Sequence, residues 1–184
     1  MGVKNTHDRY GAIAQVLHWL MAFAIFGLFA LGLWMTSLDY GSAWYTKAPM
    51  LHEGIGMAVL AALLFRLLWR MINILPDDSQ LKPWERTGAA WAHWGMYVLM
   101  AAVLVSGYLI STGGGRPVAV FDILSVPSIV SAKQLPDQAG QVHYYTAFAL
   151  IGLALLHTLA ALKHHFINKD VTLRRMLPGS AGET

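Results

Sequence analysis

The sequence predicts an all-α integral membrane protein folded as an antiparallel four-helix bundle. Three observations carry that expectation. Of the 184 residues, 56% are hydrophobic and 12% charged, about half the charged share of an ordinary soluble domain. The mean hydropathy is +0.48, more apolar surface than a soluble chain this short can bury. The apolar residues gather in four runs, each long enough to cross a hydrocarbon layer about 30 Å thick as a helix. Short connections then set neighbouring helices antiparallel. The length suits a single domain, residues 1–184. There is no cysteine, which excludes disulfides, thiolate nucleophiles, iron–sulfur clusters and thiolate-held metals. Membrane lipid is an expected partner and nucleic acid is not.

Residues 1–11 form a polar arm with Lys4, His7, Asp8 and Arg9. The run after it is a full span rather than a short signal core, so the N-terminus does not read as a cleavable signal. The first span is expected over residues 12–36, with His18 near its start. The second covers 50–69, with His52 at its beginning and Arg66 and Arg70 at its end. A polar loop, 71–87, carries Pro76, Asp77, Asp78, Lys82 and Pro83. The third span covers 88–112, with His93 near its start, and stops at Gly113–Gly114–Gly115–Arg116–Pro117. Residues 118–139 are the longest connection. They are apolar in part but broken by Asp122 and Pro127, so they should lie at the interface or cap the bundle. The fourth span covers 141–166, and a basic tail with Lys169, Arg174 and Arg175 ends near Pro178.

Charge near the span ends sets the orientation. Lys4, Arg9, Arg66, Arg70, Lys82, Arg86, Lys163, Lys169, Arg174 and Arg175 fall on one side, and Lys47, Arg116 and Lys133 on the other. Both termini should therefore be cytoplasmic. Trp34, Trp44, Trp69, Trp84, Trp91 and Trp94 fall near span ends, as an interfacial aromatic belt requires.

The fourth span carries two histidines, His143 and His157, 14 positions apart. That spacing is about 21 Å of helix rise and nearly four full turns, so both imidazoles leave one face at two membrane depths. Depth then gives each a partner. His18 matches His157 on the inner side, and His52 matches His143 on the outer side. Two imidazoles from two helices at one level suit a b-type haem, one above the iron and one below. A polar side chain in a span is costly without a partner or a function, and iron ligation supplies both. The expectation is two haem b groups stacked across the bilayer. Zinc competes at the outer level, where Asp39, Glu53 and Asp137 are the nearest carboxylates, although zinc usually takes three or four clustered ligands.

Arg66 stands 14 positions after His52, so it shares that face about 21 Å deeper. Its guanidinium is placed to fork onto a haem propionate at the inner site. Arg116 is placed to pair with a propionate of the outer haem or to attract an anion. His93 can bind a propionate, touch a quinone head group or relay protons. His164 and His165 sit too near the inner end for axial ligands, but can contact haem carboxylates or exchange protons. Gly56, one turn below His52, is the glycine best placed to leave room for a flat macrocycle.

LHWLM around residue 18, LHEGIG around 52, LLFRLLWR ending at 70, HYYTAFALIGLALLHTLAALKHHF at 143–166 and the tail KDVTLRRMLP together resemble the bacterial cytochrome b561 family. The resemblance runs from about His7 to Pro178. It implies a four-span protein of the bacterial inner membrane with two b haems, His18 and His157 holding the inner iron and His52 and His143 the outer. It also implies quinone-coupled electron transfer. One branch looks like superoxide:ubiquinone oxidoreductases, with superoxide as donor outside and ubiquinone as acceptor. Lys47, Arg116 and Lys133 are available to focus such an anion. The quinone is expected beside His18, Trp19, Arg66 and His93. Two alternatives stay open: a cytochrome b subunit between a partner dehydrogenase and the quinone pool, and a non-redox membrane bundle.

Overall fold

The computed structural model describes residues 2–121 and 123–177. Four long helices make up most of it: α1 (Ala12–Met35), α2 (Lys47–Met71), α3 (Pro83–Thr112) and α4 (Leu135–Lys163). Their 24, 25, 30 and 29 residues rise about 36–45 Å each, enough to cross a bilayer core. All four are apolar enough to span. Leu20, Phe23, Leu64, Val98 and Leu156 are each more than half exposed, on the surface that lipid covers. The chain is a multi-pass membrane protein with a four-helix bundle fold.

Three helices start earlier than hydropathy predicts. α2 begins at Lys47, α3 at Pro83 and α4 at Leu135. These first turns are polar, yet they hold helix-starting chemistry. α3 has proline in its first turn, and the Glu85 carboxylate accepts the Lys82 amide at 3.3 Å. α4 has Pro136 and Asp137 there. Proline costs no hydrogen bond at that position, and an acid suits the positive end of the helix.

The connection after α3 forms a small antiparallel hairpin, β1 (Val118–Val120) and β2 (Leu124–Val126), with Val118 opposite Val126. Its alternation is the period of a strand: Val118 is buried and Ala119 exposed. Phe121 turns at φ 52° and lays its ring against Gly54 of α2, where an added methyl would come within 3.0 Å of it. Beyond β2, the Tyr108 hydroxyl donates to the Pro127 carbonyl (2.6 Å) and accepts the Ile129 amide (3.1 Å). Asp122 and Pro178 lie outside the described residues.

At the other end, α4 passes into a π turn, His164–Asn168, which closes at Lys169 with φ 56°. His164 Nδ1 meets Asp170 Oδ2 at 2.5 Å. The tail then folds back beneath α1. The buried Gln15 amide donates to the carbonyls of Tyr10 (3.1 Å) and Arg175 (3.0 Å), and the Trp19 indole donates to Met176 (2.8 Å). Arg175 in turn reaches the Asp77 carbonyl, tying the tail to the loop between α2 and α3.

Met21, Leu28, Val59, Leu63, Met100 and Leu150 form the buried apolar core. In sequence, Leu150 is midway between His143 and His157, and Val59 and Leu63 lie between His52 and Arg66. α3 packs closely along α4, and α1 along α2, but the α4 backbone approaches α1 at few points and α2 at fewer. One side of α4 therefore faces a gap, with the core between its two histidine levels.

Candidate functional site

Four histidines line this gap in two pairs. The ring centres of His18 and His157 are 6.3 Å apart, and those of His52 and His143 are 6.0 Å apart. A metal bonded to imidazole nitrogens at about 2 Å on opposite sides would hold the ring centres about 6 Å apart. Both pairs have that separation. The structure thus brings together the partners that helix depth selects.

At the outer level, His143 Nδ1 lies 2.8 Å from the Val103 carbonyl and 3.4 Å from Ser106 Oγ. A carbonyl can only accept, so Nδ1 carries the proton and donates it. The neutral ring then presents its Nε2 lone pair, the arrangement found when histidine binds a metal and a carbonyl orients it. His52 Nδ1 is buried without a partner at good hydrogen-bond geometry, although the Leu28 carbonyl acts on the ring from α1. Each ring is seated on a glycine. An added methyl at Gly32 would stand 3.3 Å from His52 Cε1, and one at Gly107 would stand 3.1 Å from His143 Cε1.

Between these rings is a cavity of about 340 Å³, lined by Phe29, Met57, Val118, Phe148 and Ile151 among others. Gly56 lines it too, and a methyl there would meet nothing within 4 Å. A mostly apolar cavity, two opposed imidazoles and a ring nitrogen with its proton drawn away fit a planar tetrapyrrole iron group. Zinc lacks the ligands it usually takes: among the described residues no three His, Cys, Asp or Glu side chains converge to hold a metal ion, and Asp39, Glu53 and Asp137 complete no such set.

At the inner level a third imidazole joins the pair. The His93 ring centre is 5.3 Å from that of His157. Arg66 lies within electrostatic reach of His18, His93 and His157. Its Nε donates to the Tyr97 hydroxyl at 3.1 Å, and Nη1 reaches the Ala14 carbonyl at 3.5 Å. The Trp19 ring stands edge-on to His18 at 5.3 Å, with its N–H already bonded to Met176. His164 pairs with Asp170. Arg116 is exposed between α3 and β1 and is not among the residues lining the outer cavity.

Several participants were not legible in the sequence. The Val103 carbonyl is backbone and carries no residue signal. Tyr97 looks like any aromatic in a span. Ser106 and Gly107 are small residues inside a span, and only the fold shows that His143 sits against them.

Comparison with known proteins adds a family. The family model described as prokaryotic cytochrome b561 matches residues 9–179. Cytochrome b561 homolog 2 of Escherichia coli (strain K12) is 43% identical over 185 residues, covering 100% of this chain and 98% of that protein. The probable superoxide oxidase CybB of Yersinia pestis is 27% identical, covering 96% of this chain and 99% of its own. Cytochrome b561 homolog 1 of Escherichia coli (strain K12) is 24% identical, covering 93% and 98%.

Proposed function

The chain belongs to the prokaryotic cytochrome b561 family of membrane electron-transfer proteins that carry b-type haem, and on that premise we propose that it is a dihaem, quinone-coupled cytochrome of the bacterial inner membrane. In this reading it oxidises superoxide to oxygen at the outer face and reduces ubiquinone. The observation that supports it most is the two histidine pairs, each about 6 Å between ring centres, whose α4 members His143 and His157 stand 14 positions apart. His18 and His157 would hold the inner haem, and His52 and His143 the outer. Bound haem supplies reversible one-electron chemistry at iron.

The protein's own part is to hold, space and insulate. With His18 and His157 holding one iron and His52 and His143 the other, the histidines would leave no open site for oxygen. The apolar core between the two levels keeps water from the interval. Lys47, Arg116 and Lys133 put positive charge at the outer end, which raises the local concentration of an anion. The Yersinia pestis relative named probable superoxide oxidase supports superoxide as that anion. At the inner end, His93 offers a donor to a quinone carbonyl, while Trp19 offers its ring. Two superoxide ions give two electrons, and with two protons these convert one quinone to quinol.

Stopped-flow mixing of the purified oxidised protein with superoxide, ubiquinol and menaquinol tests this. Rapid haem reduction by superoxide is expected and, once ubiquinone is added as acceptor, one ubiquinol per two superoxide ions. Reduction by quinol but not by superoxide would point to a partner dehydrogenase as the other redox partner. His143→Ala and His157→Ala should each leave one haem of two, and retention of both in either variant would refute the ligand assignment.

A further inference from the structure

At the inner end, α2 and α3 build a cluster of hydrogen-bond donors with almost no acceptors. The Tyr97 oxygen accepts from Arg66 Nε at 3.1 Å. A guanidinium can only donate, so the Tyr97 proton is left to donate elsewhere. The Arg70 guanidinium lies over the Tyr97 ring, 5.8 Å from its centre, one helical turn from Arg66. Among the described residues no carboxylate pairs with either arginine; the ion pairs there are Arg86–Asp78, Lys163–Glu85 and His164–Asp170. Tyr10 completes the surroundings, within electrostatic reach of Arg66, Arg70 and Tyr97. Two half-buried cations with an idle hydroxyl proton between helices are costly unless an anion completes them.

We infer that Arg66, Tyr97 and Arg70 form a carboxylate site that binds the two propionates of the inner haem. The inference rests on the dihaem reading above and adds Tyr97 and Arg70 to it. Each guanidinium can fork onto one carboxylate. The Tyr97 hydroxyl, with Arg66 holding its oxygen, donates to one of them. His93, with its ring centre 5.3 Å from that of His157, is thereby left for the quinone rather than for a propionate. Arg70 acts here as a ligand for the anion, beyond its part in the positive inner surface.

Redox titration of the purified haem-loaded protein tests the site, with each haem followed by its absorbance bands. A nearby cation favours the reduced haem, so Arg70→Gln should lower the potential of one haem and leave the other in place. Arg70→Lys, which keeps the charge, should recover most of that shift. Tyr97→Phe should retain both haems yet shift the carboxylate bands in redox difference infrared spectra, identified with haem labelled by carbon-13 at the propionate carboxyls. Unchanged potentials and unchanged carboxylate bands in a protein that still holds two haems would overturn the site. So would variants that only raise the half-saturating quinone concentration, since the donors would then serve the quinone. Wild-type protein without haem bands would remove the dihaem reading and this inference together.

Discussion

Gly107 has no side chain to offer the site, yet it governs where His143 can stand. An added methyl would lie 3.1 Å from Cε1 and 3.2 Å from Nδ1 of the ring, so the ring must give by a few tenths of an ångström, which strains its 2.8 Å bond to Val103. Loss of such an orienting bond typically weakens metal binding about 10–100-fold. Gly107→Ala should therefore lower the haem content of purified protein from two toward one per chain. Ser106→Ala should not, because the Val103 carbonyl still takes the Nδ1 proton. Equal haem content in both variants would count against the glycine seat. At this scale the sequence showed much. The histidines could be paired by depth because helix rise is constant and a polar side chain in a span is conspicuous. What it hid was the cross-helix neighbour of each ring: Gly32 lies 20 positions before His52, and no spacing rule along one helix links them.

The helices themselves were legible through their apolar runs, and their first turns were not. Hydropathy averages over Pro83–Glu85 and Leu135–Asp137, whose charges mask the start, although proline and acid are the local signals for it. The hairpin was hidden for a different reason. Three-residue strands are too short for alternation to stand out, and the turn residue with positive φ is phenylalanine rather than glycine. The return of the tail was likewise hidden, because it depends on backbone carbonyls held by Gln15 and Trp19. The tail's anchor has a pH signature. Burial raises the Asp170 proton affinity, but hydrogen bonds from Thr172 and His164 outweigh it, and the carboxyl sits below its ordinary 3.8. A carboxyl depressed in the folded state stabilises above its unfolded value, and that contribution disappears as pH falls through 3.8 and below. Asp170→Asn should melt earlier than wild type near neutral pH in detergent, and the two melting curves should converge in acid. A difference that persists unchanged at low pH would argue against the anchor.

Across the whole molecule, four crossings place both termini on one side. The excess of Lys and Arg on one side, ten against three, predicts that this side is the cytoplasmic one. A fluorescent protein that matures only in the cytoplasm, fused after Thr184, should light up, and a phosphatase that works only in the periplasm should stay silent at the same junction. The opposite pattern would invert the assignment of inner and outer haem sites. Composition was sufficient for the spans, since these depend on sums over many residues. It could not show how unevenly the helices pack. α3 lies along α4 and α1 along α2, while α4 approaches α1 and α2 only sparsely. This unevenness has a consequence for how the protein is made. The side of α4 that faces the gap would be completed only when a prosthetic group fills it. Cofactor binding is then part of the folding free energy, and cofactor supply becomes a checkpoint in biogenesis. Chains made in haem-starved cells would remain half-assembled and exposed to membrane proteases, so the cell's stock of this protein would follow its stock of haem.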